Sequence, residues 1–203
     1  MNIIMTGSTS FVGAATVREL LRRGHTVTAI VRPKSSKLDT ILEGNEEALL
    51  SGRLLVIEND LSEPERLLEK VTKPQDVFCH FGWGGSGSAS RTDKALQEKN
   101  MEISLETVRT AEALGCSKFL FSGSQAEYGM HRDLITEETV CEPKSLYGEA
   151  KLAMREKGEK LCSELGLRYI HARIFSAYGP GDHPWTLVES CLDAFLDNKE
   201  ISL

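Results

Sequence analysis

Short apolar runs alternate with amphipathic segments along almost the whole of this 203-residue chain. The runs are rich in β-branched and aromatic residues, as in buried strands, whereas the segments repeat apolar residues at helical spacing. This alternation predicts right-handed βαβ units, and therefore a doubly wound parallel sheet in a three-layer α/β/α arrangement. The predicted strands are residues 2–6, 26–31, 54–57, 76–81, 118–121 and 168–174, and the predicted helices are residues 11–23, 63–71, 92–114, 147–165 and 187–196.

The first strand and the first helix are joined by a glycine-spaced loop at residues 7–13, with the sequence Gly-Ser-Thr-Ser-Phe-Val-Gly. Gly7 permits a tight turn, Gly13 allows close packing of helix on strand, and N–H groups at the helix start suit a pyrophosphate. The loop predicts a Rossmann domain that binds a dinucleotide, although Ser10 stands where a middle glycine is expected. The alternative is an ordinary βα turn. The predicted cofactor-binding residues of the loop are Gly7, Thr9, Ser10, Phe11, Val12 and Gly13.

The end of the second strand favours one cofactor over another. An acidic residue there normally binds the adenosine ribose of NAD, but this chain has Arg32, followed by Pro33 and Lys34. A basic residue suits a 2′-phosphate, so the sequence favours NADP over NAD. A solvated surface loop is the competing interpretation, more so for Lys34 than for Arg32. Asp60, followed by Leu61 after the third strand, could meet the adenine or could cap the next helix.

Three residues could supply acid–base chemistry. Tyr147 and Lys151 are four apart on a predicted helix and so share one face. An ammonium beside a phenol lowers the tyrosine pKa toward neutrality, so Tyr147 could exchange a proton with a substrate hydroxyl or carbonyl. Ser124, just past the fifth strand, could position the reacting oxygen, or could simply satisfy loop backbone.

Four segments together resemble the extended short-chain dehydrogenase/reductase superfamily, in its NAD-dependent epimerase/dehydratase branch. They are Thr-Gly-Ser-Thr-Ser-Phe-Val-Gly at 6–13, Phe-Ser-Gly-Ser-Gln-Ala-Glu-Tyr-Gly at 121–129, Tyr-Gly-Glu-Ala-Lys at 147–151, and Arg-Ile-Phe-Ser-Ala-Tyr-Gly-Pro-Gly at 173–181. The resemblance spans nearly the whole chain in the right order. It implies that Ser124 is the catalytic serine, that Tyr147 is the acid/base, and that Lys151 binds nicotinamide ribose and tunes Tyr147.

The resemblance also implies further contacts. The family segment usually written His-x-Ala-x is here His80 to Trp83, so Phe81, Gly82 and Trp83 are expected to line the cofactor. Asn100 matches a polar position near the active site. Ser176 stands where the family often has asparagine. The substrate contacts implied are Ser124, Gln125, Glu127 and Ser176, with a structural hydrogen bond as an equal alternative for Glu127.

These features predict an NAD(P)-dependent oxidoreductase that acts on a nucleotide sugar as a 4-epimerase, dehydratase or ketoreductase. The alternatives are an NADPH-dependent carbonyl reductase and a non-catalytic NADP-binding regulator on the same fold. Residues 1–180 are expected to form the cofactor domain, and residues 181–203 the start of a substrate region. Because family members continue into a smaller C-terminal domain, most of that domain is expected to be absent and turnover to be weak. A homodimer through the helices at 92–114 and 147–165 is also possible for this family.

Composition argues against several other classes of protein. A net charge of −6 makes nucleic acid a poor default partner, and no apolar stretch approaches the length of a membrane helix. The five scattered cysteines suggest reduced thiols in a cytoplasmic protein rather than a disulfide or zinc framework. The histidines show no metal-ligand spacing, so no metal is expected.

Overall fold

The computed structural model of the chain describes residues 1–85, 89–184 and 186–200. Its strands are β1 (Asn2–Thr6), β2 (Thr26–Val31), β3 (Leu54–Glu58), β4 (Val77–His80), β5 (Lys118–Ser124) and β6 (Arg168–Ile174). They form one parallel sheet in the order β3-β2-β1-β4-β5-β6. The winding direction therefore reverses between β1 and β4, as in dinucleotide-binding sheets, and the predicted doubly wound α/β fold is confirmed.

The helices are α1 (Phe11–Arg22), α2 (Asp39–Leu42), α3 (Glu46–Leu50), α4 (Leu67–Lys70), α5 (Lys94–Ala113), α6 (Leu146–Glu164) and α7 (Leu187–Leu196). Short 3₁₀ helices lie at Pro64–Arg66, Ala89–Thr92 and Gln125–Glu127. The short helix predicted at residues 63–71 is present, but its first turn is the 3₁₀ helix at Pro64–Arg66, and α4 adds four residues before Val71 becomes extended. In the part of the chain that is described, no helix is long and apolar enough to cross a membrane.

The sheet buries both of its faces, which gives the three predicted layers. Neighbouring residues of a strand point to opposite faces. Thus Ile4 joins a cluster with Phe78 and Phe119 under α5 and α6, while Ile3 and Met5 join the cluster under α1, α2 and α3. The rigid sheet between these clusters holds the carboxyl ends of β1, β4 and β5 side by side at one edge.

Strand β5 runs farther than the sequence predicts. Its predicted end is residue 121, but it continues to Ser124, which pairs with Ile174 of β6. The last three residues, Ser-Gly-Ser, carry no apolar signal, so only the ladder to β6 reveals them as strand. Gly123 is required within this extension, because a Cβ there would overlap the side chain of His171. Ser124 is therefore held by a sheet and not by a loop.

Candidate active site

The loop between β1 and α1 folds tightly around its two glycines. Gly7 has φ +69°, and a Cβ on it would lie 2.7 Å from the carbonyl carbon of Phe81. A Cβ on Gly13 would overlap the Gly7 carbonyl oxygen. Ser10, in the middle position, is the N-cap of α1: its Oγ accepts from the Gly13 N–H at 3.1 Å and donates to the Gly7 carbonyl at 2.7 Å. Ser10 thus cross-links the loop through its side chain.

A cleft of about 350 Å³ opens beside this loop, between the carboxyl ends of β1, β2 and β4. Its size lies in the usual range for a small-molecule site. Gly82 lets two lining residues pack closely, since a Cβ there would lie 2.7 Å from Leu61 Cδ1. Phe11, Val12 and Gly13 lie outside its lining, as do Tyr147 and Lys151. The predicted cofactor residues that line it are Gly7, Thr9, Ser10, Arg32, Asp60, Leu61, Phe81, Gly82 and Trp83.

The far end of the cleft carries both signs of charge. Arg32 lines it together with Lys37, a cation that the sequence analysis missed although it closes the basic run begun at Arg32. The Asp60 carboxylate accepts hydrogen bonds from Ser62, which hold its pKa below the usual value with help from Lys99 and Arg32. Asp60 therefore caps a turn and not a helix. A glycine-lined groove at a helix N-terminus, with cations at one end, fits a dinucleotide.

Ser124, Tyr147 and Lys151 lie together beyond the other end of the cleft, and we call them the polar corner. Ser145 caps α6 by accepting from the Gly148 N–H at 3.1 Å, which starts the helix at Leu146 and places Tyr147 in its first turn. Lys151 follows one turn later, with its ammonium 5.7 Å from the centroid of the Tyr147 ring. Ser124 lies close enough to Tyr147 to lower the tyrosine pKa.

The charge states of the polar corner differ from expectation. Burial raises the pKa of Tyr147 above its usual value, although Ser124 and the Arg91 guanidinium, 5.1 Å from the ring centroid, act in the opposite direction. The net shift of the Tyr147 pKa is therefore upward, and a lowering by Lys151 stays a prediction. The Lys151 ammonium donates to the Ser122 carbonyl at 2.8 Å, and burial lowers its own pKa to about 7.

The sequence left two roles open for Glu127, a substrate contact and a structural hydrogen bond. It is fully buried, and its Oε1 accepts the Ser124 N–H at 2.8 Å. His171 Nε2 lies 2.9 Å from the same carboxylate, and Arg173 Nε donates to it at 2.8 Å. Burial alone would raise the pKa of Glu127, but the bonds from His171 and Arg173 outweigh it and hold the pKa below its usual value. These bonds support the structural alternative, in which Glu127 anchors the backbone of Ser124, and the substrate contact stays a prediction.

Buried polar groups also fix the segment after β4. The His80 ring lies 2.9 Å from Thr6 Oγ1 and 3.0 Å from Ser104 Oγ, and burial lowers its pKa to about 3, so the ring is neutral. Asn100 brackets Gly84 by accepting from its N–H at 2.9 Å and donating to its carbonyl at 2.8 Å. His80 and Asn100 therefore hold the segment that lines the cleft, although neither side chain lines it. Residues 86–88, part of the irregular stretch that follows, lie outside the described residues.

The sequence of the chain matches the model of the NAD-dependent epimerase/dehydratase family over residues 3–203. The chain belongs to this family. The resemblance read from the four segments is thereby confirmed, and the family description supports NAD-dependent chemistry without favouring NADP.

Curated members of the epimerase/dehydratase family resemble the chain at moderate identity. It is 29% identical to D-erythronate dehydrogenase of Cupriavidus necator over 178 residues, which cover 86% of this chain and 53% of that protein. It is 28% identical to an uncharacterised UDP-glucose epimerase of Bacillus subtilis, with 100% of this chain and 65% of that protein covered. The chain thus spans between about half and two thirds of the length of these relatives.

Solved structures of epimerases share the fold. UDP-glucose 4-epimerase of Thermotoga maritima, solved with UDP-glucose, superposes with a TM-score of 0.82 at 23% identity and covers 100% of this chain and 65% of that one. UDP-glucuronic acid 4-epimerase of Bacillus cereus, solved with NAD, gives a TM-score of 0.77 at 21% identity, with coverage of 100% and 66%. At these identities the likeness establishes the fold alone.

Not every residue expected from the epimerase/dehydratase pattern is brought to the site. Gln125 and Ser176 are both exposed, with Ser176 two residues beyond the end of β6, and their substrate contacts stay predictions. The sequence analysis did not predict the contacts of two residues near Tyr147. The Arg91 guanidinium lies over the Tyr147 ring. The Lys151 ammonium lies over the Trp83 ring, 3.9 Å from its centroid. Nothing in local sequence pairs these residues, because each contact joins separate elements. Across the described residues, no group of three acidic, histidine or cysteine side chains could hold a metal ion.

Proposed function

We propose that this chain binds a nicotinamide dinucleotide in the cleft and oxidises or reduces a sugar carbon of a nucleotide sugar. The observation that carries the proposal is the position of the polar corner. Ser124, Tyr147 and Lys151 converge beyond the end of a cleft that begins at a glycine loop and a helix N-terminus. A bound nicotinamide would supply or accept the hydride.

The residues of the polar corner have distinct parts in this proposal. Tyr147 takes the proton from a sugar hydroxyl during oxidation and returns it during reduction. Ser124 Oγ already accepts from the Ala126 N–H at 3.2 Å, so its own hydrogen is free to bond the reacting oxygen or the phenolate. Lys151 contributes positive charge beside Tyr147. An epimerase would return the hydride to the opposite face of the same sugar carbon as Tyr147 returns the proton to oxygen, whereas a reductase performs the reduction alone and releases oxidised cofactor.

The choice of cofactor is a finer part of the proposal. Arg32 and Lys37 at the far end of the cleft support NADP, whereas the family description and the relative solved with NAD support NAD. We propose NADP as the preferred cofactor. Fluorescence titration with NADPH and NADH measures the ratio of affinities, and a charge-assisted contact predicts a loss of roughly tenfold or more for NADPH in Arg32→Gln. An unchanged ratio of NADPH to NADH affinity in Arg32→Gln would mean that Arg32 does not set the cofactor preference.

The substrate side is open in the described residues. Apolar side chains of α7 (Leu187, Leu192, Phe195 and Leu196) are exposed, which supports residues 181–203 as the start of a substrate region after a cofactor domain at 1–180. We therefore expect weak turnover from these 203 residues by themselves. Pairing of two copies through α5 and α6, and a location in the cytoplasm, remain part of the proposal.

The experiment that tests the function is hydride exchange in the presence of UDP-, GDP- and dTDP-sugars, followed by nicotinamide fluorescence. Exchange that falls by a factor of about 10² to 10⁴ in Tyr147→Phe, with the dinucleotide affinity unchanged, supports the enzyme. Exchange with simple carbonyl compounds but no sugar nucleotide would favour the carbonyl reductase, which the cations at Arg32 and Lys37 also suit. Dinucleotide binding without exchange, in a longer protein that also carries the family's C-terminal domain, would favour the non-catalytic regulator.

A further inference from the structure

The buried Lys151 ammonium lies against aromatic rings. Its Nζ is 3.9 Å from the centroid of the Trp83 ring and 4.5 Å from that of Phe121, while it donates one hydrogen bond to the Ser122 carbonyl. The side chain is almost fully removed from solvent, with 2% of Lys151 exposed. A cation in such a place loses its hydration, and the negative faces of aromatic rings can replace part of it.

Trp83 is itself held rigidly in position for this contact. Its indole N–H donates to Gln97 Oε1 at 3.0 Å, and Gln97 in turn donates to the Ser90 carbonyl at 2.7 Å. The ring meets Phe121 and Tyr147 edge-on, at interplanar angles of 71° and 87°. The indole therefore presents a fixed face to the ammonium, and the same side chain forms the end wall of the cleft nearest the polar corner.

We propose that Trp83 is a positioning residue, whose indole face stabilises the charged form of Lys151 and holds its ammonium beside Tyr147. The geometry concerns the protein alone, and its consequence for catalysis rests on the proposed function. Trp83 would then have two roles: it closes the nucleotide cleft on one side and supports the charge of the polar corner on the other.

Other charged and titratable groups act on Lys151 from the elements around it. Glu127, from the 3₁₀ helix after β5, favours the charged ammonium through its own negative charge. His80 of β4 interacts with the lysine electrostatically but is neutral. Tyr147, on the same helix as Lys151, is also neutral near pH 7 because burial raises its pKa. Burial disfavours the charged ammonium more than these groups favour it, and it lowers the pKa of Lys151 to about 7. Near that value, a modest change in the aromatic contact strongly alters the fraction of Lys151 that is charged.

The sharpest test changes the electrostatics of the indole without changing its shape. Trp185→Phe leaves Trp83 as the remaining one of the chain's two tryptophans, which is then replaced by tryptophans bearing one, two or three fluorine atoms. Fluorine weakens the negative ring face, so the Lys151 pKa, measured by NMR on labelled lysine, should fall stepwise by about one pH unit in total. A Lys151 pKa that is unchanged or that rises across the series would overturn the proposal.

Two ordinary variants give an independent measurement. Trp83→Phe keeps an aromatic face and should lower the Lys151 pKa less than Trp83→Leu, which removes that face; circular dichroism verifies the fold of each. Equal pKa values in the two variants would contradict a role for the ring face. The outcome is separable from the proposed function. A shifted pKa without any hydride exchange overturns the function alone, whereas hydride exchange with an unshifted pKa overturns the role of Trp83 alone.

Discussion

The nucleotide cleft and the polar corner lie side by side, yet they differ in the residues that form them and in how far those residues are buried. The cleft is open to solvent and is lined by glycines, by apolar side chains such as Leu61 and Phe81, and by the exposed cation Arg32 at one end. The polar corner consists of one buried side chain, Lys151, and two half-buried ones, and burial is the leading cause of the pKa shifts of both Tyr147 and Lys151. Charge is screened by solvent in the first region and set by desolvation in the second. The same kind of substitution should therefore have unequal effects in the two regions.

The largest effect on stability is expected at Glu127, which anchors the polar corner. Glu127→Gln removes one partner of a buried ion pair with Arg173 and should lower the free energy of unfolding by about 3 kcal/mol or more at neutral pH. Urea unfolding measures the loss. Glu156→Gln, an exposed acid on α6, is the matched control and should change stability by less than about 0.5 kcal/mol.

The stabilisation by Glu127 should also depend on pH. Because the folded-state pKa is held below the unfolded value, the stabilisation is complete above the unfolded pKa and is lost as the pH falls through the folded one. The difference in stability between the wild type and Glu127→Gln should therefore narrow in acid, below about pH 4. A constant difference across that range would show that Glu127 is not ionised in the folded protein.

The next effect is expected in the glycine loop beside the cleft, at Gly13. A Cβ there overlaps the Gly7 carbonyl oxygen, so Gly13→Ala should cost about 1–3 kcal/mol and weaken dinucleotide binding. Gly24→Ala, at the other end of α1, has open space for its Cβ but φ +79°, and should cost about 1 kcal/mol without affecting binding. Thermal unfolding and nicotinamide fluorescence measure the two quantities. Equal loss of affinity in both variants would attribute the effect to α1 stability and not to the loop.

Arg91 tests how far an exposed charge reaches into the polar corner. Its guanidinium lowers the pKa of Tyr147, so Arg91→Gln should raise that pKa further and move the pH profile of hydride exchange to higher pH. Arg109→Gln, an exposed arginine on α5, serves as the control with an unmoved profile. If both variants left the profile in place, the influence of Arg91 on Tyr147 would be excluded.

The smallest effect is expected at Ser10. Ser10→Gly restores the middle glycine but removes the cap on the Gly13 N–H, and should cost only a few tenths of a kcal/mol, compared with about 1 kcal/mol for Ser10→Ala. Chemical unfolding resolves the difference between the two variants. A gain in stability in Ser10→Gly would mean that the serine is tolerated and does not function as a cap.

The bounds of several strands could be predicted from the sequence. Strands β1, β2 and β6 have the expected bounds, because apolar or β-branched runs end there at turn residues. The end of β5 could not be predicted, since Ser-Gly-Ser has no strand signal without β6 beside it. Helices α2 and α3 have four and five residues, which is too short for a periodic pattern.

The polar corner was predictable in its membership but not in its electrostatics. Ser124, Tyr147 and Lys151 were identified from motifs, and the structure brings them together. Their pKa shifts depend on burial, on Arg91 and on the carboxylate of Glu127, and both of these residues come from other elements. Such contacts arise only when the sheet edge is assembled, so no local spacing reveals them.

The strand order also has a consequence for how the chain folds as it is synthesised. β1 pairs with β2 on one side, but its other neighbour, β4, enters the sheet through pairs such as Ile3 with Val77. Until the ribosome has released residues 77–80, the growing chain presents β1 as an unpaired edge with apolar faces. Strand β1, which is central in the finished sheet, is thus an edge strand of the growing chain, and an unpaired edge of this kind can pair with the wrong strand.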